Sequence, residues 1–161
     1  MTTETVYVNA TTNTETPAWL TIGSNPWLDQ GDTSYIHTHI NGRKSGDYSF
    51  PTSEGEGEID SVQLQFTDYI ANINGVNYYQ VYLYDGSAWH NLGSQAPTWS
   101  QWQKEAPMDI SSILNTWAKI NACKVYVLMI ANDTYDIYVS ELVRIVTYRK
   151  ATGVGLTITP L

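Results

Sequence analysis

Between Gln80 and Lys150 two pairs of strands with a period of two flank one short helical stretch. QVYLYDGSAWHNL reads as a hairpin, with Val81 and Leu83 on one side of the strand and Tyr82 and Tyr84 on the other. Asp85-Gly86 at its centre predicts a type I′ turn, which needs positive φ at both central residues. KVYVLMIA is apolar on both faces, with Val125, Val127 and Met129 against Tyr126, Leu128 and Ile130, and predicts a central strand. After the turn at Asn132-Asp133-Thr134, residues 135–140 and 142–149 complete a sheet. The exception is MDISSILNTWAKI. There Ile110, Ile113, Leu114 and Trp117 fall at i, i+3, i+4 and i+7, so the spacing predicts a helix over about 109–120 with Asp109 as N-cap. One short helical stripe among strands predicts an all-β fold, a two-sheet antiparallel jelly-roll-like sandwich with one short helix.

The first half fits the same architecture. Residues 5–10 alternate like a strand, and residues 18–22 form a second short one. In SYIHTHIN, Ile36, Thr38 and Ile40 share one face while Tyr35, His37 and His39 share the other. IDSVQLQFTDYI is the clearest half-buried strand, with Val62, Leu64 and Phe66 facing in. About nine or ten strands are expected. With no internal repeat or linker, residues 1–161 read as one domain, with an N-terminal arm at about 1–5 and a C-terminal arm at about 151–161.

A chain of this length buries roughly 70% of its unfolded surface, enough for a core without staples. Only 15% of residues are charged, and the twelve Tyr and six Trp outnumber the two Phe. Tyr and Trp suit half-buried pleated surfaces and flat contact surfaces. A net charge of −8 argues against nucleic acid and against an anionic membrane surface as partners. Cys123 stands alone, which excludes an internal disulfide and a Cys-based zinc site. The N-terminal residues lack the basic and apolar regions of a secretory signal, and no apolar run reaches transmembrane length. The expected location is a virion or extracellular assembly, reached without a classical signal peptide.

Candidate chemistry is sparse. His37 and His39 lie two apart on a strand, a spacing that can chelate a metal, with His90 or a carboxylate as third ligand. The same spacing also fits a solvated strand face, which is the more economical reading. Glu54, Glu56 and Glu58 alternate with Gly in a loop, and Asp29 and Asp32 flank Gly31. Asp29 and Asp32 could hold a structural Ca²⁺; no other cofactor is implied. The carboxylates Asp29, Asp32, Glu54, Asp85 and Asp133 fall in loops, and only Asp68 and Glu141 lie near strand ends, so no glycosidase pair stands out. No nucleophile elbow, phosphate loop or dinucleotide fingerprint occurs. No enzymatic activity is expected.

Aromatic residues are the better lead. Trp19, Trp27, Trp89, Trp99 and Trp102 lie in or beside loops, where indoles stack on sugar rings or anchor a protein interface. Trp27, Trp99, Trp102, Tyr82 and Tyr84 are the candidate ligand-binding residues. Trp117, on the apolar stripe, reads as core.

VYLYDGSAWHNLG, DISSILNTWAKINACKVYV and VSELVRIVTY, with TETVYVNA, DTSYIHT and GEIDSVQLQF before them, resemble two groups of jelly-roll sandwiches. One group is the galactose-binding-like and carbohydrate-binding-module domains. The other is the small virion structural and decoration proteins of tailed viruses. The resemblance spans most of residues 5–149 and implies fold; it assigns no ligand residue. The expected function is a non-enzymatic structural subunit of a symmetric assembly, either a virion decoration or capsid-associated protein or a filament subunit. Its partners would be copies of itself or capsid or filament neighbours. The alternative is a carbohydrate-binding module whose loop tryptophans hold a glycan.

Overall fold

The computed structural model describes residues 1–8, 10–12, 19–22, 35–53, 55–72 and 74–150. Among the described residues twelve strands, against the nine or ten expected, form two antiparallel sheets around one core. The larger sheet is built on its two longest strands, β6 (Glu58–Ile70) and β12 (Ile137–Arg149), paired along most of their length. Short strands complete both sides. β9 (Gln103–Lys104) and β10 (Met108–Asp109) pair with β6. β4 (Tyr35–Thr38) and β1 (Thr2–Tyr7) pair with β12, and β3 (Leu20–Ile22) pairs with β4. Residues 1–5, read as an arm, supply most of β1.

A bulge lets β12 serve two neighbours. Its register shifts between Val139 and Leu142, so residues 137–139 pair with β4 and residues 143–148 with β1. The other sheet runs β2 (Ala10–Thr12), β5 (Asp47–Ser49), β11 (Lys124–Ile130), β7 (Tyr78–Tyr84) and β8 (Trp89–Gln95). β11 is central, as its two apolar faces predict.

Alternation decides which side chains enter the core. Val62, Leu64 and Phe66 are buried while Gln63 and Gln65 are half-buried. Val81 and Leu83 are buried while Tyr82 and Tyr84 are not. Each fully buried aliphatic or Phe side chain stabilises the fold by roughly 1.5–3 kcal/mol. Ile36 and Thr38 face in as read, but Ile40 is exposed because it lies past the end of β4.

The structure corrects the predicted helix over about 109–120. Met108–Asp109 is strand β10, and α1 covers only Trp117–Ala122. Asp109 accepts from the backbone and hydroxyl of Ser111, and Ile110 O accepts from Ile113 and Leu114, which makes one isolated turn. The chain then restarts at Thr116, whose hydroxyl caps Lys119 N. Short polar side chains that bond locally to the backbone compete with a continuous helix. The apolar stripe survives in the packing: Ile110, Leu114 and Ile120 are buried, and Trp117 is half-buried, donating to Gly57 O at 2.8 Å.

The predicted type I′ turn is also corrected. Only Gly86 takes positive φ there, at 95°, and the β7–β8 connection is a four-residue loop closed by Asp85 N to Ala88 O. Asp85 Oδ1 accepts from Ser87 N, Ser87 Oγ and Ala88 N. An Asp that satisfies this many donors favours the wider loop over the tight turn. The bonds from Ala88 and Ser87 also hold its carboxyl well below the usual carboxylate range.

A basic side chain lies wholly inside. Arg144 shares strand parity with Leu142 and Val146 and is fully buried. It donates to Ile120 O at 2.6 Å and Pro51 O at 3.0 Å, and stacks 5.1 Å from the Phe50 ring centre. Period two alone would have placed it inward; its basic character concealed that. Cys123, buried beside it, has its thiol pushed up by burial.

Candidate functional site

On the outer side of the larger sheet, register alone sets three rings side by side. Tyr69 of β6 lies opposite Tyr138 of β12, and Tyr138 lies opposite His37 of β4. Tyr69 and Tyr138 stack at 4.3 Å with planes 4° apart, and Tyr138 and His37 stack at 5.1 Å and 7°. Trp102 meets Tyr69 edge to face at 4.6 Å and 79°, with Tyr35 tilted against it at 5.8 Å. Trp99 is 48% exposed, and its carbonyl accepts from Ile70 N, which anchors this segment at the end of β6.

A polar group edges the rings. His37 Nδ1 lies 2.8 Å from Asp136 Oδ2, and His39 Nδ1 lies 2.5 Å from Asp136 Oδ1. One carboxylate thus sits between two imidazoles, with one oxygen for each. Among the described residues, no group of three His, Cys, Asp or Glu is arranged to hold a metal ion. His90, the suggested third ligand, lies instead in the smaller sheet, 3.3 Å from Asp85.

Asn77 fixes the loop that carries Asp136. Its buried side chain accepts from Asn132 N and Asp133 N and donates to Asp133 O and Tyr135 O. Asp133 Oδ2 in turn accepts from Val76 N. Burial raises the Tyr69 hydroxyl to about 12, with Tyr138, Tyr35 and Asp136 adding to the rise. Tyr138 is raised for the same first reason. Both phenols are therefore neutral donors at ordinary pH.

The structure divides the sequence-predicted ligand residues. Trp102 belongs to the larger sheet's outer face and Trp99 is tied by its carbonyl to the end of β6, while Tyr82 and Tyr84 belong to the outer side of the smaller sheet. They do not form one site. Trp19, read as lying in or beside a loop, is buried and donates to Arg43 O at 2.9 Å. Trp27, Asp29, Asp32 and Glu54 lie outside the described residues, as does the arm at about 151–161. Sequence reading missed Tyr35, Tyr69, Tyr138, Asn77 and Asp136. The outward parity of Tyr35, Tyr69 and Tyr138 on their strands was available, but no local signal paired them.

Asp68 and Glu141 do not form a catalytic pair across a cleft. Asp68 points into the core, where Tyr79 donates to it at 2.5 Å, and desolvation raises its carboxyl to about 8. Glu141, at the β12 bulge, accepts from Thr67 at 2.9 Å and lies 3.4 Å from Lys104 Nζ. Thr67 alternates outward on β6, so the two acids serve different sides of the sheet.

No family model matches the chain, and no curated protein matches it. Among solved structures it is similar to the CBM36-1 domain of a multidomain xylanase from the hindgut metagenome of Trinervitermes trinervoides. That likeness has 14% identity and a TM-score of 0.50, and it covers 89% of this chain and 96% of that one. It is also similar to a carbohydrate-binding module of family 29, at 9% identity and a TM-score of 0.46, over 90% of each chain. At these identities the likeness is one of fold, and both neighbours are carbohydrate-binding modules by name. Neither is a virion protein, and the virion half of the resemblance gains no support from them.

Proposed function

We propose that this domain is a non-catalytic glycan-binding module and that the outer face of the larger sheet holds the saccharide. The observation that carries this reading is the joining of Trp102, Tyr69, Tyr138 and Tyr35 to a carboxylate, Asp136, oriented by two imidazoles. Sugar rings have an apolar C–H face and a polar edge of hydroxyls. Indole and phenol rings satisfy the first, and a fixed carboxylate accepting from neighbouring hydroxyls satisfies the second. The fold likeness to a xylanase's carbohydrate-binding domain supports the same reading.

Titration calorimetry with neutral β-1,4-linked hexasaccharides (cello-, xylo- and mannohexaose) tests it. Trp102→Ala is expected to weaken binding at least tenfold, about 1.4 kcal/mol, with the melting temperature held within a few degrees. Unchanged affinity in both Trp102→Ala and Tyr69→Ala would remove this face as the site.

A further inference from the structure

The smaller sheet repeats the same construction with different residues. Tyr126 of β11 lies opposite Tyr82 of β7, and their rings stack at 4.7 Å and 9°. Trp89 of β8 crosses Tyr126 at 4.7 Å and 62°, with Tyr84 tilted beside it at 5.3 Å. Both surfaces are thus a parallel cross-strand tyrosine pair with a tryptophan set across it.

We propose that this outer face of the smaller sheet is a second glycan site, so that one domain holds two saccharide chains, one on each side of the sandwich. The proposal rests on the reading of the first face given above. Four observations argue for a saccharide of the neutral class. Trp89 is 38% exposed, so part of its indole reaches solvent beside Lys44, whose Nζ lies 5.7 Å over the ring. The rim offers hydroxyl and amide groups: Tyr82 donates to Gln80 Oε1 at 3.0 Å and accepts from Asn91 Nδ2 at 3.3 Å. Lys44 Nζ sits 4.3 Å from the Tyr126 ring centre, yet Asp47 lies 3.1 Å from it and offsets its charge. The chain as a whole carries −8, which repels uronic or sulfated sugars. Packed sheets stand about 10 Å apart and turn their outer faces away from each other, so one glycan chain cannot lie on both. Occupation of both faces would make the domain a bridge between chains, with the gain in avidity that two linked sites confer.

Calorimetry with the same three hexasaccharides reads the stoichiometry directly. Two chains per domain are expected for the wild type. Trp89→Ala and Trp102→Ala should each leave one, and the double variant none. Trp89→Phe keeps a ring and should retain both, which separates loss of the platform from loss of the fold; circular dichroism melts check each variant. A wild type that binds one chain, lost in Trp102→Ala and kept in Trp89→Ala, overturns the second site and leaves the first reading standing. One chain lost in Trp89→Ala and kept in Trp102→Ala overturns the reading of the first face. No binding of any hexasaccharide by the wild type overturns both.

Discussion

The two aromatic faces share a plan and differ in what holds them. On the larger sheet, the rings come from β4, β6 and β12 and from the segment of Trp102, and the carboxylate beside them arrives on a loop fixed by Asn77. Residues 97 to 99 apart in the chain meet there. On the smaller sheet, Tyr82, Tyr84 and Trp89 sit within one hairpin, and Asp85 organises its loop. One face is assembled from remote segments throughout; the other draws three of its four rings from one hairpin and the fourth, Tyr126, from β11. Damage to the first should spread, and damage to the second should stay confined.

The sharpest test of that difference is Asn77→Ala. It removes the four hydrogen bonds that a buried side chain makes to the backbone of residues 132–135, so a loss of about 2–4 kcal/mol is expected in urea unfolding. Saccharide binding through the Trp102 face should fall with it, while any binding through Trp89 should persist. Equal losses on both faces would break the comparison.

Asp68 lies between the faces, joining β6 to Tyr79 of β7. Its carboxyl is raised by burial to about 8, so the fold favours the neutral acid. That contribution is fully present below about pH 4 and is lost as pH rises toward about 8. Stability should therefore decline across that window by on the order of a few kcal/mol. Asp68→Asn should flatten the decline, and an unaltered pH profile in that variant would assign the slope elsewhere.

Asp136→Asn keeps the shape and removes the charge between His37 and His39. About tenfold weaker binding at the larger sheet's face is expected, with the melting temperature nearly constant. The smallest effect should come from Asp85→Ala. A drop of a few degrees in melting temperature is expected at neutral pH. Because Asp85 is held well below the usual carboxylate range, its contribution is present above the ordinary Asp value and is lost as the solution is acidified through its own. The wild type and this variant should therefore converge in strong acid.

These contrasts track what could be read from the chain. Val62, Leu64, Phe66, Val81 and Leu83 were legible as core because a period of two needs only neighbouring residues. The helix was overextended because the apolar stripe at Ile110, Ile113, Leu114 and Trp117 is real, while the interruption comes from Asp109 and Thr116 bonding to nearby backbone. Of the site, single aromatics were legible and their grouping was not. Tyr82 and Tyr84 share a strand face, so their association was visible. Trp102 and Tyr69 meet only through strand pairing, and which of two sheets receives a loop tryptophan is a matter of register. Asn77 carries no local signal because its partners at 132–135 are remote.

The pairing of β1 with β12 carries a mechanical consequence. Thr2 lies opposite Tyr148, so the outer ends of both strands emerge at the same edge. Force applied through Thr2 and Tyr148 would open that ladder one hydrogen bond at a time, as a zipper opens, rather than shear all its bonds together. A domain loaded in this way would yield at low tension from its first strand. Loaded instead across two bound saccharide chains, it would be pulled face from face, and the tightly filled space between the sheets would bear the strain.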